Sequence, residues 1–223
     1  MIERILPSAA AVHEMFGDVP VGSLHPEEAA LVRDSVETRR QEFATGRHCA
    51  RRAVAALGGI PAGPLLATPQ GAPRWPAGVC GAITHCAGYR AAAVARTSGI
   101  TALGIDAEPD VPLPEGVLEA VALPAEQVQV KQHAARYPTA NWDKLLFSAK
   151  ESIYKAWFPA TSRPLGFEHV LIDVDPVRGT FHGRVLPSTL RAAEPSMCDL
   201  DGRWAVGHGI VITSVVVERR PPA

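Results

Sequence analysis

Between residues 142 and 158 the chain puts Trp142, Leu145, Leu146, Ala149, Ile153, Ala156 and Trp157 on one face at a 3.6-residue period. A stripe that wide has to be covered, so the spacing predicts a long helix with a core packed against it. The opposite face carries Lys144, Phe147, Glu151, Tyr154 and Lys155, so it is not a plainly solvated one. Asn141 or Thr139 is positioned to cap the start, and Pro159 to stop the helix. Taken alone, Glu151 and Lys155 are an i,i+4 ion pair worth about 0.3–0.5 kcal/mol.

A second segment changes that reading. Gly104-Ile-Asp-Ala-Glu-Pro109 has the pattern of a strand end. Residues i and i+2 of a strand share a side, so Asp106 and Glu108 point together and Ala107 points away. The structural alternative is a pair of surface acids before the turn at Pro109. Paired with Lys150-Glu151 and Lys155 on the later helix, the acids suit a site instead. Three carboxylates, Asp106, Glu108 and Glu151, match the oxygen donors that Mg²⁺ takes alongside phosphate oxygens. Lys150 and Lys155 would offset phosphate charge.

The rest of the chain gives the frame. Residues 26–57 read helical: Pro26 stands at a helix start with Glu27 and Glu28 in the first turn, and a run from Arg40 to Leu57 ends at Gly58-Gly59. Residues 58–79 form a Gly/Pro-rich loop. Strands are expected over 81–106, with a turn at Gly88, then a Pro-rich connection over 109–116 and a helix over Val117–Ala135. Further strands fall at Val170–Val174, Thr180–Leu186, Trp204–Val206 and Ile210–Glu218, the last pair as a hairpin around Gly207 and Gly209. Helices followed by strands, twice over, predict an α+β fold of two halves, residues 1–105 and 106–223. Identity between the halves is too low to define a repeat.

Bulk properties narrow the function. The net charge of -1 over 223 residues gives no global attraction to nucleic acid or membrane. The N-terminal residues lack the apolar run of a signal peptide, and no stretch reaches the ~18 apolar residues of a transmembrane helix. A cytoplasmic protein is expected. The cysteines at 49, 80, 86 and 198 form no C-x-x-C pair, and they read as small buried hydrophobes.

The motifs resemble the Sfp/EntD-type 4′-phosphopantetheinyl transferases. The family pattern G-[IV]-D-x-E is matched by Gly104-Ile-Asp-Ala-Glu108, and [FW]-[ST]-x-K-E-[SA]-x-x-K by Phe147-Ser-Ala-Lys-Glu-Ser-Ile-Tyr-Lys155. Arg47-His-Cys-Ala-Arg51, Gly71-Ala-Pro-Arg-Trp-Pro76 and Ile83-Thr-His-Cys-Ala-Gly-Tyr89 are similar to earlier motifs of the EntD-like branch. The resemblance runs from about Arg39 to Trp157.

The resemblance implies two similar α+β halves with coenzyme A in the cleft between them. It implies transfer of the phosphopantetheine arm to a serine of an apo acyl- or peptidyl-carrier protein, with release of 3′,5′-ADP. Asp106, Glu108 and Glu151 would hold Mg²⁺, with Mn²⁺ as the alternative ion. Glu151, directly or through a metal-bound water, would be the base. Asp106, Lys150 and Lys155 would act at the CoA phosphates, joined by Arg39, Arg47, His85 and the Thr84 backbone. The enzyme would be a monomer. Two departures stand out. The segment Leu65-Leu-Ala-Thr-Pro-Gln-Gly71 lacks the lysine that relatives often carry, and Ala107 stands where some relatives have a third acid. Two rival readings remain: another metal-dependent enzyme acting on phosphate esters, and a non-catalytic binding module for CoA or carrier proteins.

Overall fold

The structure, a computed structural model, describes residues 1–61, 63–187 and 197–219. Two antiparallel sheets organise it. The first holds β1 (Ala10–Phe16), β2 (Val79–Cys86) and β3 (Tyr89–Arg96) in the order β1-β3-β2. The second holds β4 (Ile100–Pro109), β5 (Val170–Asp175), β6 (Thr180–Val185), β7 (Asp199–Gly207) and β8 (Ile210–Glu218) in the order β4-β8-β7-β6-β5. After the short α1 (Pro26–Ala30), the long α2 (Glu37–Ala56) covers the first sheet. α3 (Val117–Val121), α4 (Pro124–Arg136) and the long α5 (Trp142–Thr161) follow, and α5 packs on β4 and β8. Each half is thus one 20-residue helix laid on an antiparallel sheet, the α+β arrangement expected.

The halves differ in strand number but share a device. Pro26 and Pro124 each open a helix at its first position, and the glutamate two residues on turns back into the fold. Glu28 accepts the His25 N–H at 3.0 Å, the Leu65 N–H at 2.8 Å and a 2.7 Å ion pair from Arg51 of α2. Glu126 accepts the Leu123 N–H at 2.6 Å, the Ile172 N–H at 2.7 Å and a 2.7 Å ion pair from Lys150 of α5. Both carboxylates are fully buried, where only such complete pairing makes a charge tolerable.

The strands line up as the alternation of β4 demands. Leu103, Ile105 and Ala107 enter a core with Ile2, Ile5, Ile210 and Ile212. Ala102 enters the other core, which α5 fills with Trp142, Leu145, Leu146, Ala149, Ile153, Ala156 and Trp157. Every residue of the apolar stripe is therefore buried. The free edge of β5 is closed by α4, whose Gln129 Oε1 accepts the Val174 N–H at 3.2 Å while His133 Nε2 meets the Val174 carbonyl.

Several element boundaries differ from expectation. The expected helix over 117–135 is two helices, because Pro124 holds Leu123 extended (φ -65°, ψ 155°) and starts α4 afresh. Residues 31–36 interrupt the helix over 26–57. Pro159 does not stop α5. The helix runs to Thr161 and ends where Ser162, left-handed at φ 55°, donates its N–H to the Phe158 carbonyl. Asn141 heads the helix without capping it; its amide donates to Asp110, tying the exit of β4 to the start of α5. The expected division at 105/106 falls inside β4, and the change of sheet comes between Arg96 and Ile100. β1 had no counterpart in the sequence reading.

Candidate active site

The site begins with a glycine. A Cβ on Gly104 would overlap the Ser152 carbonyl and lie 2.7 Å from the Ala156 nitrogen. Only glycine lets α5 lie this close on β4, and that approach carries Glu151 and Lys155 to the strand face of Asp106. Lys155 Nζ then stands 2.7 Å from Asp106 Oδ1.

Asp106 is buried, not on the surface. Its Oδ1 also accepts the Thr84 hydroxyl at 3.2 Å, while Oδ2 is buried without a partner. Thr84 comes from β2, at the edge of the first sheet, and β4 is the edge of the second. The acids thus sit in the seam between the halves.

Glu108 points the same way as Asp106 but leans toward Lys144, whose Nζ is 3.6 Å away. Burial, then the charge of Asp106, raises the Glu108 carboxyl above its ordinary value, against the pull of Lys144 and Lys155. Burial also raises Glu151, with Asp106 pushing the same way and Lys155 opposing. Among the described residues no three His, Cys, Asp or Glu side chains stand close enough to hold a metal as they are. The expected convergence of Asp106, Glu108 and Glu151 is therefore not closed, since a lysine stands on each of the two strand acids. The donor set still fits Mg²⁺. All three groups are carboxylates, one offers a buried oxygen without a hydrogen bond, and Asp106 adds unfavourably to the charge of both others, which a cation would relieve.

Lys150 is placed differently from expectation. Its side chain is 1% exposed, and its ammonium is taken up by Glu126 and the carbonyls of Phe167 and Val170 at 2.8 and 3.0 Å. It faces away from Asp106 and holds α5 to α4 and β5. Burial lowers its pKa, with Glu126 opposing.

The rim of the first half carries the other expected groups. Arg39 Nη1 lies 3.1 Å from His85 Nε2, and Glu42 lies 3.5 Å from Arg39 and 3.6 Å from His85 Nδ1. A guanidinium only donates, so Nε2 accepts and the ring proton is on Nδ1, toward Glu42. Burial of the inner side of His85 comes first in lowering its pKa below 6.5; Arg39, Lys155 and Arg90 push the same way and Glu42 opposes. The imidazole is neutral at pH 7. Arg47 is deeper: Nε donates to the Leu65 carbonyl at 2.7 Å, and the guanidinium lies 4.1 Å from the Phe43 ring centre. Burial pushes its pKa down to about 10, still fully charged at neutral pH.

Two cavities flank Glu151. One of 270 Å³ runs between Tyr154, Lys155 and Phe158 of α5 and the 70–73 loop, with Gly81–Ile83 at its back. The other, of 200 Å³, lies over Tyr154, Leu165, Phe167 and Val170. The loop is held by Trp75, whose indole N–H donates to the Gly81 carbonyl at 2.9 Å, and turns at Gly71 (φ +88°). Gln70 lines the first cavity in the segment that lacks a lysine.

Sequence reasoning missed Lys144 and Glu42 as members of the site. Lys144 lies three turns before Lys155 on α5, a spacing that puts both on one face. Glu42 carries no motif and is recruited only by the fold of β2 against α2.

Comparison with known proteins gives this arrangement its family. Residues 27–95 match the 4′-phosphopantetheinyl transferase N-terminal domain, and residues 102–206 match the 4′-phosphopantetheinyl transferase superfamily. The chain is 49% identical to 4′-phosphopantetheinyl transferase Svp of Streptomyces mobaraensis, over 97% of its own length and 89% of that protein. It is 43% identical to 4′-phosphopantetheinyl transferase PptT of Mycobacterium tuberculosis, over 97% and 98%. Enterobactin synthase component D of Salmonella austin is more distant, at 30% over 75% and 72%. With both motif-bearing halves matched and the seam between them formed from those motifs, the chain belongs to the 4′-phosphopantetheinyl transferase superfamily.

Proposed function

We propose that the groups around Asp106 carry out Mg²⁺-dependent transfer of the phosphopantetheine arm of coenzyme A to a serine of an apo acyl- or peptidyl-carrier protein. The observation that carries this reading is Asp106 itself, fixed through one oxygen by Thr84 and Lys155 and offering a second, buried and unpartnered oxygen. In the reaction the serine Oγ attacks the phosphorus that bears pantetheine. The pyrophosphate P–O bond breaks, 3′,5′-ADP leaves, and the serine proton passes to Glu151. The raised carboxyl of Glu151 supports its role as acceptor, since a base works best with a pKa brought toward the working pH.

When bound, Mg²⁺ or Mn²⁺ supplies positive charge to the phosphate oxygens as that bond breaks; Asp106, Glu108 and Glu151 would hold it. Lys155 would balance the remaining phosphate charge. Arg39, Arg47 and His85 would bind the CoA phosphates from the first half, and the His85 ring can take a proton as an anion arrives. Lys150 is left out of the binding set, because Glu126 and two carbonyls already use its ammonium.

The chain would act as a cytoplasmic monomer. One chain supplies both walls of the cleft, and Cys49, Cys80 and Cys86 are free thiols, as in a reducing compartment. Incubation of an apo-carrier protein with CoA and the enzyme should add the mass of one phosphopantetheine. EDTA should abolish the gain, and Mg²⁺ or Mn²⁺ should restore it. Full activity in EDTA would remove the metal from the reading, and no mass gain at any metal concentration would remove the carrier.

A further inference from the structure

We infer that the Thr84 side chain is a positioning residue that selects which oxygen of Asp106 is offered to the metal. The inference rests on the metal reading above and assigns Thr84 a role distinct from any contact of its backbone with CoA.

β2 and β4 are edges of different sheets, and they meet in the seam without forming a common ladder. Thr84 supplies the missing link. Its Oγ1 accepts the Ala107 N–H at 3.0 Å, on the edge of β4 that β8 does not occupy. Having accepted there, the hydroxyl has one proton to give, and the acceptor within reach is Asp106 Oδ1 at 3.2 Å. Lys155 Nζ lies 2.7 Å from the same Oδ1 and 3.5 Å from Thr84 Oγ1. Both donors therefore act on one carboxylate oxygen, and with Thr84 1% and Asp106 3% exposed, water does not compete.

The consequence is directional. A carboxylate held at Oδ1 by two donors cannot rotate about its Cβ–Cγ bond without breaking both contacts, so Oδ2 stays fixed with its lone pairs unspent. Lys155 can swing away to a phosphate, being 27% exposed. Thr84 cannot, because the Ala107 N–H anchors it. When Lys155 turns to substrate, Thr84 alone keeps Asp106 oriented. The same hydroxyl ties the first half to the residue between the two strand acids, so it joins the halves and aims the ligand at once.

The test compares Thr84→Val, which keeps the shape and removes the hydroxyl, with Thr84→Ser, which keeps the hydroxyl. Mn²⁺ binding in the presence of CoA is read by electron paramagnetic resonance, and the Mg²⁺ dependence of turnover and the KM for CoA are read separately. Thr84→Val should weaken Mn²⁺ binding at least tenfold and raise the Mg²⁺ needed for half-maximal turnover in parallel. Its KM for CoA at saturating Mg²⁺ should stay within threefold of wild type. Thr84→Ser should restore Mn²⁺ binding to within threefold. Wild-type Mn²⁺ affinity in Thr84→Val overturns the inference, as does equal weakening by Thr84→Ser. Loss of CoA affinity in step with Mn²⁺ would make Thr84 a nucleotide contact instead. Should Thr84→Val not fold, Thr84→Ala takes its place; unfolding of both, with Thr84→Ser intact, would assign the hydroxyl to stability and overturn the orienting role. Absence of Mn²⁺ binding by the wild-type enzyme would overturn the metal reading itself, and is told apart because it appears without any substitution.

Discussion

Lys155 Nζ lies 2.7 Å from Asp106 Oδ1, across the narrow approach of α5 to β4 that Gly104 permits. The pair joins the two sequence motifs at the seam between the halves. It also balances a buried carboxylate that would otherwise be costly to keep charged. In the proposed reaction this acid would be needed for a cation, so ligand binding would exchange partners on Asp106 instead of filling a preformed cage.

Asp106→Asn should fold and fail. The amide keeps the side-chain shape, and Lys155 can turn to solvent, so the change in stability is small. The charge that would hold the cation is lost, and charge stabilisation of this kind is worth several kcal/mol in the transition state. Turnover should fall at least about 100-fold, read by the mass gain of an apo-carrier protein, with the melting temperature within a few degrees of wild type. Near-normal turnover would move the metal away from β4.

Gly104→Ala tests the approach that builds the site. The added methyl meets backbone, the Ser152 carbonyl and the Ala156 nitrogen, which no rotamer change can relieve. α5 must shift as a body, at a cost of about 1–3 kcal/mol or more. The melting temperature should drop, and turnover of the folded fraction should drop as well, because Lys155 and Glu151 move off Asp106. A variant with full turnover would show that the close packing serves stability alone.

The two lysines of the second motif should separate cleanly. Lys150→Met leaves Glu126 buried and without its cation, and breaking a buried pair costs about 3–5 kcal/mol. That variant should melt early yet turn over at a normal rate per folded molecule. Lys155→Met leaves the buried Asp106 without its cation, so it should also melt below wild type, but unlike Lys150→Met it should lose turnover per folded molecule. Stopped turnover in folded Lys150→Met would return Lys150 to the CoA phosphates.

How far the sequence could foresee this site follows from what each residue depends on. Asp106, Glu108, Glu151 and Lys155 were legible because their spacing is local: period two on a strand and period 3.6 on a helix. The surroundings of Lys150 were not legible because its partner Glu126 lies on α4, and nothing local to α5 shows that the ammonium is taken. β1 was missed because Ala10-Ala-Val-His-Glu-Met-Phe16 lacks the alternation of a half-buried strand, and only its last residue is exposed. The burial of Asp106 was not legible for a similar reason, since the Thr84 edge that covers it belongs to the other half. Pro159 misled because a helix can continue for a turn past a proline when its last carbonyls find donors, as Phe158 does from Ser162.

The raised carboxyl of Glu108 sets a pH dependence for the metal-free enzyme. A folded state that raises an acid's pKa binds its proton more tightly than the unfolded chain does. That contribution is absent below the ordinary carboxylate value, weakens folding as pH rises from there through the raised value, and stays as a constant penalty above it. Glu108→Gln removes the charge and should raise the metal-free melting temperature at pH 7 by a few degrees, on the scale of about 2–4 °C per kcal/mol for a chain this size. Below the ordinary carboxylate range the difference should vanish. The same gain at both pH values would make it a matter of packing and not of charge.

Glu151→Gln decides between base and ligand. Glu151 lies on α5 between the two cavities, with its carboxyl raised by burial and next by Asp106, while Lys155 holds it down. Glutamine keeps the size and one oxygen able to meet a cation, but it cannot accept the serine proton. Loss of a general base costs about 10²–10⁴ in rate. CoA affinity should therefore stay within a few-fold of wild type while turnover collapses. In the wild-type enzyme, kcat/KM should fall on the acid side with a limb displaced above the ordinary carboxylate value, because the working form is ionised and burial delays its ionisation. That limb should be missing from whatever residual rate Glu151→Gln retains. Joint loss of CoA affinity and turnover would leave Glu151 as a ligand only. A turnover close to wild type, with the acid limb unchanged, would take Glu151 out of the proton transfer and leave another acceptor to be found within reach of the serine.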